Sequence, residues 1–180
     1  SIYYIFKCMM KKTDSSYFNM NSFKEDNIRA VDAKFEAQKI AFAPLCFQAV
    51  RAMLELGLLK AIEDSGDDGI SRKELAQKTG VSEYGAGVLC EMMLGMNVIK
   101  LAKQADEERF VIGKTGWMLL EDDLTKVNFW FTNDICYQGA WDLTASVKNG
   151  KPEGLKVFGD KWTTVYEALS TLPEKAKKSW

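Results

Sequence analysis

The stretch that decides the fold is ISRKELAQKTGVSEYGAGVLCEMMLGMNVIKLAKQADEERFVI, residues 70–112. It opens with Ser71 three residues ahead of Glu74, the spacing of a capping box, in which each side chain binds the other residue's backbone amide. A short helix over Arg72 to Lys78 is expected from this, with Leu75 and Ala76 facing inward and Thr79-Gly80 ending it. Ser82 then caps a second helix running to about Met96, with Val88, Leu89, Met92 and Met93 expected on its buried side. Two short helices joined by a glycine-containing turn make a helix-turn-helix. Val98-Ile99-Lys100-Leu101 reads as a strand, Gln104 to Glu108 as a polar turn, and Arg109-Phe110-Val111-Ile112 as the returning strand. Helix, helix-turn-helix and hairpin in this order give a mainly α (α+β) chain: a winged helix with a two-stranded wing and flanking dimerisation helices.

Upstream, Val31 to Glu63 carries Phe35, Phe42, Val50, Met53, Leu54 and Leu58 near helical spacing. Pro44 lies inside this run and is expected to kink or split it, and Gly57 is a second weak point. Asp64 to Gly69 is a loop by composition. The first residues (Ile2, Tyr3, Tyr4, Ile5, Phe6, Met9, Met10) are apolar but too few to span a bilayer, which takes about 20. Residues 1–30 therefore read as an arm that packs on something, a second subunit being one option. Downstream, Thr115 to Leu120 is a short helix. Leu124 to about Lys148 is a long apolar helical stretch with Phe129, Trp130, Phe131, Ile135, Tyr137, Trp141 and Leu143, which Gly139 could break. Asn149 to Pro152 is a turn, and residues 160–180 a last helix interrupted at Leu172-Pro173. The expected division is an arm over 1–30, a winged-helix domain over 31–124 and a helical segment over 125–180.

Composition narrows the chemistry. A net charge of −1 gives no overall field toward nucleic acid or an anionic membrane. The chain has no histidine, so the commonest general base and metal ligand are missing, and zinc sites and histidine-based triads fall with them. Cys8, Cys46, Cys90 and Cys136 are widely spaced and read as reduced thiols of a cytoplasmic protein. A winged helix first suggests DNA, but the second helix, Ser82 to Glu91, has no Lys or Arg and two Glu. Phosphates need cations opposite them. A DNA-binding transcriptional regulator is thus the alternative rather than the leading reading, and a stand-alone docking module is a third. Glu83-x-Gly85-x-Gly87 imitates a nucleotide-binding loop, but such a loop must follow a buried strand, and this one follows a capped helix. The aromatic segment Phe129-Trp130-Phe131 with Trp141 reads as core or as the wall of a ligand pocket. Asn133 and Asp134 lie among these apolar groups, and a small-molecule substrate is one partner they could take.

An ordered set of motifs from about Ala49 to Trp180 resembles the N-terminal part of the small-molecule S-adenosylmethionine-dependent O-methyltransferases, the group with a winged-helix dimerisation domain. Met53-Leu54-Glu55-Leu56-Gly57-Leu58 matches the "LGL" helix, and Ile70 to Ala76 the capped "t-x-x-E-L-A" helix. Leu89 to Val98 matches the third helix. Phe110 to Gly116 looks like the hairpin exit with its Thr displaced, and Gly139-Ala140-Trp141-Asp142-Leu143 through Pro152 looks like "W-x-x-L-x-x-x-x-x-x-G-x-P". Phe158-Gly159, Tyr166 and Leu172-Pro173-Glu174 resemble the segment before the catalytic domain. The resemblance implies a homodimer that lends one wall, Phe129, Trp130, Asn133 and Trp141, to the pocket of a small-molecule acceptor. It also implies S-adenosylmethionine as cofactor, bound by a C-terminal Rossmann-like domain beyond this sequence. No catalytic, cofactor-binding or metal residue transfers to these 180 positions, and neither nucleic acid nor membrane is expected as a partner.

Overall fold

The computed structural model describes residues 24–103, 107–159, 162–168 and 174. The expected arm over 1–30 falls mostly outside these residues, as does most of the expected last helix over 160–180. The chain divides into two compact units, residues 1–43 and 44–180.

The described part is mainly helical, with one small antiparallel sheet. Helix α1 covers Ala30–Glu55 and runs through Pro44 without ending there. A helical proline leaves the carbonyl four residues back, that of Ile40, without its amide. Ile40 is well exposed, so water can take that place. The interruption comes instead at Gly57, whose φ of 71° is the left-handed turn a Cβ would penalise. Its amide bonds back to the Leu54 carbonyl at 3.2 Å. Helix α2, Leu58–Asp64, follows at once and buries Leu58, Leu59, Ala61 and Ile62.

The capping box forms as read. Ser71 Oγ accepts from the Glu74 amide, and Glu74 Oε2 accepts from the Ser71 amide at 2.9 Å. It starts α3, Arg72–Thr79, which buries Leu75 and Ala76. Ser82 Oγ accepts from the Gly85 amide at 3.0 Å and starts α4, Glu83–Gly95. The inward face of α4 differs from the expected one: Ala86, Gly87, Cys90 and Met93 are buried, while Val88 is exposed. The reason is the close approach of α3. A Cβ on Gly87 would lie 2.9 Å from the Arg72 guanidinium, so only the smallest residues fit against that helix.

The sheet has three strands rather than two. Strand β1 is Ile70–Ser71, β2 is Ile99–Leu101 and β3 is Arg109–Ile112, in the order β1-β3-β2. Ile99 faces Ile112 and Leu101 faces Phe110 across one ladder, and Ile70 faces Phe110 across the other. The segment missed as a strand is the residue pair leading into the capping box. Two residues are too few to show an alternating pattern. Phe110, fully buried at the middle of β3, joins a core with Met53, Leu59, Ile62, Leu75, Met93 and Ile99.

Beyond the sheet come α5, Lys114–Glu121, and α6, Asp123–Phe131, whose first turn is capped by Asp122 accepting from the Thr125 amide at 2.8 Å. The expected long helix then breaks up. A π-helical turn covers Thr132–Cys136, a short α7 covers Tyr137–Gly139, a 3-10 turn covers Ala140–Asp142, and α8 covers Leu143–Asn149. Gly139 lies at the break because the chain returns against it: a Cβ there would meet the Gly154 carbonyl oxygen at 3.0 Å. A short α9, Val165–Ala168, is the last described helix.

Candidate functional site

The π-helical turn sets the geometry of the aromatic segment. Eight residues of regular α-helix would place Tyr137 roughly 80° around the axis from Phe129. A π turn absorbs one extra residue and brings that offset to roughly 20° on the other side. Both rings therefore face the same neighbour, Phe47 of α1. Phe47 stacks on Phe129 at 4.5 Å between centroids, 19° between planes, and on Tyr137 at 5.1 Å and 17°. Trp130 meets Phe129 edge-on at 5.4 Å and 87°. Tyr137 Oη donates to the Pro44 carbonyl oxygen at 3.1 Å, fixing the ring that closes the stack. Ile135, on the same turn, is buried in a separate small cluster with Phe131, Cys136, Phe158 and Trp162. Burial pushes the Cys136 thiol above its ordinary range.

Of the four expected wall residues, Phe129 and Trp130 belong to this stack. Phe129 is 8% exposed, and Trp130 is half-buried against the main core. Asn133 sits on the π turn, its Nδ2 donating to Asp134 Oδ1 at 2.7 Å. Trp141 stands on the following 3-10 turn with 92% of its surface exposed, and none of the ring contacts includes it. The structure thus brings Phe129 and Trp130 together, keeps Asn133 within one turn of them, and leaves Trp141 in solvent. Sequence reasoning missed Phe47, because its role depends on α1 crossing the aromatic segment more than 80 positions later.

What this arrangement can do follows from its groups. Flat aromatic surface with one amide and one carboxylate beside it can stack against and orient a small planar molecule. The glycines of Glu83-x-Gly85-x-Gly87 lie inside α4. The Gly85 amide is held by Ser82, and Gly87 faces Arg72, so they do not fit a phosphate or a nucleoside cofactor. On the presumed DNA-facing side, Arg72 is engaged by Glu91 at 3.6 Å and Glu108 at 3.2 Å, while Arg109 is engaged by Glu74 and Glu107.

Residues 34–110 match the family described as the Dimerisation2-like domain. This segment is a Dimerisation2-like domain. It contains the capping box, both helices of the helix-turn-helix and most of the sheet. Among solved structures, the fold is similar to the S-adenosylmethionine-dependent methyltransferase SibL in its apo form, with a TM-score of 0.63 and 20% identity, over 79% of this chain and 42% of that one. Human N-acetylserotonin methyltransferase in complex with SAM gives 0.60 and 16%, over 82% and 42%. LepI in complex with SAM gives 0.68 and 13%, over 99% and 47%. The chain spans less than half the length of each of these proteins. No curated protein sequence matches it. The family resemblance read from the motifs holds, and at these identities the structural likeness is one of fold.

Proposed function

We propose that this chain is the N-terminal dimerisation and substrate-lid part of an S-adenosylmethionine-dependent O-methyltransferase. The observation that carries the reading is that a dimerisation-domain family matches residues 34–110, while the fold of most of the chain is shared with SibL and N-acetylserotonin methyltransferase, both named as methyltransferases. In this reading residues 31–124 are a winged-helix dimerisation domain whose wing is β2 and β3. Residues 1–30 are an arm, and residues 125–180 lead into a cofactor domain beyond this sequence. S-adenosylmethionine, held there, supplies the methyl group. This chain's contribution is to pair two subunits and to set the stacked Phe129 and Trp130, with Asn133 and Trp141, beside a small-molecule acceptor. The protein works as a cytoplasmic homodimer, with neither nucleic acid nor membrane as its partner.

The test compares this chain with its natural gene product. Light scattering on the 180-residue chain should give twice its 20.3 kDa. A natural product of roughly 330–350 residues, this chain plus one further domain of ordinary size, should bind S-adenosylmethionine in titration calorimetry, and this chain should not. A monomeric chain, or a natural product ending at Trp180, would overturn the reading. Sequence-selective retardation of DNA at low salt would put the regulator in its place.

A further inference from the structure

Helix α1 carries an apolar stripe that its own chain leaves bare. Val31, Phe35, Gln38 and Phe42 recur at intervals of four, three and four, the alternation that keeps one seam in line along a pair of supercoiled helices. Val31, Phe35 and Phe42 are 66%, 60% and 52% exposed. The charged residues beside the seam are Asp32, Lys34 and Lys39. Their signs discriminate between the two ways a second copy could lie on it. In a parallel pair, the flanking position of one heptad faces the position five residues on in the other copy. That sets Lys34 against the other copy's Lys39, like against like, on both sides of the seam. In an antiparallel pair with Val31 opposite Phe42 and Phe35 opposite Gln38, Asp32 instead falls beside the other copy's Lys39. Two-fold symmetry makes that favourable pair twice.

We infer that two copies of this chain pair antiparallel through α1, with Val31 of each against Phe42 of the other and Asp32 against Lys39. The inference rests on the homodimer reading above and adds its geometry. Within one chain Asp32 is bound by Arg29 at 2.6 Å and Lys39 by Glu36 at 2.8 Å. Those links orient both charges along the flank of the stripe. Gln38, the polar member of the seam, opposes Phe35 only in this register, and a single polar position of this kind fixes alignment.

Two experiments on the 180-residue chain test it. In the first, Val31→Cys and Phe42→Cys chains carrying different tags are mixed and mildly oxidised, and disulfides are mapped by peptide mass so that natural cysteines are told apart. The expected result is a 31–42 disulfide in the mixture and no self-linked dimer from either variant alone. In the antiparallel register, identical positions are offset by about 16 Å along the axis, beyond the reach of a disulfide. Self-linking of the single variants would overturn the inference in favour of parallel pairing. A dimer without either link would overturn it in favour of another interface. In both cases the homodimer reading stands, whereas a monomer at every concentration defeats both. The second experiment guards against a cysteine variant that fails to fold. Asp32→Lys and Lys39→Asp should each raise the dimer Kd by about tenfold, since each turns two attractive pairs repulsive. The double variant should return to within about threefold of the parent. Both intrachain links are lost in the double variant, so recovery reports the crossing pair alone. A double variant no tighter than the singles would overturn the inference.

Discussion

Removing the ring of Phe47 or of Phe129 tests whether the aromatic stack holds α1 to the segment beyond the sheet. Phe129 is almost fully buried, and truncating a buried phenylalanine to alanine costs about 3–5 kcal/mol. Phe47 is half-buried, so Phe47→Ala should cost less, about 2 kcal/mol. The rings are 4.5 Å apart and nearly parallel, an arrangement worth about 1 kcal/mol beyond the area it buries. The double variant should therefore be destabilised by about 1 kcal/mol less than the two single costs together, because the second truncation finds the stacking already gone. Urea unfolding of the four proteins, followed by far-ultraviolet circular dichroism, closes the cycle. Trp141→Ala is the control and should move stability by no more than about 0.5 kcal/mol, since Trp141 is 92% exposed. If the Phe47 and Phe129 costs add to within about 0.3 kcal/mol, the two side chains act independently. The account of the π turn as the device that aligns Phe129 and Tyr137 on Phe47 would then be wrong.

Other outcomes follow from neighbouring features. Cys90 is fully buried and its thiol is pushed up to about 12 by burial, so iodoacetamide at neutral pH should label Cys46 well before Cys90 in the folded chain. Equal labelling rates would show that α4 opens freely. The hydrogen bonds from Ser71 hold the Glu74 carboxyl below its ordinary range, and those from Thr125 do the same for Asp122. A depressed carboxylate stabilises the fold above its unfolded value, and that contribution is lost as pH falls through the folded one. The Tm should therefore drop on acidification, and less steeply for Glu74→Gln, which keeps the capping geometry without the charge; an unchanged slope would refute the assignment. Gly154→Ala would drive a Cβ into the Gly139 carbonyl oxygen, backbone against backbone, and should cost about 1–3 kcal/mol in urea unfolding. A neutral effect would mean that this return of the chain is loose.

The fold was legible wherever the signal was local. The caps at Ser71 and Ser82 are read from four consecutive residues each, and both form with the expected partners. The hairpin of β2 and β3 needed only two short apolar runs separated by polar residues. What the sequence hid was set by contacts between distant segments. The buried face of α4 turns on how closely Arg72 approaches Gly87, and the pattern Val88, Leu89, Met92, Met93 is just as regular as the true one. Pro44 was given too much weight, because the cost of a helical proline depends on whether water can reach the orphaned carbonyl. At the candidate site, Phe129, Trp130 and Asn133 stood out by composition. Their partner Phe47, and the π turn that aims them, belong to no motif that a run of residues displays.

The sheet has a consequence for how this chain can meet another. Its central strand, β3, is hydrogen-bonded on both sides, and its two outer strands are two and three residues long. So short a border exposes too few unpaired amides and carbonyls to template an incoming strand. Edge-to-edge sheet growth, the common route from hairpins to disordered aggregates, is thereby closed off. Association falls to helical surfaces, where side-chain shape and charge choose the partner rather than the backbone, which is the same in every protein.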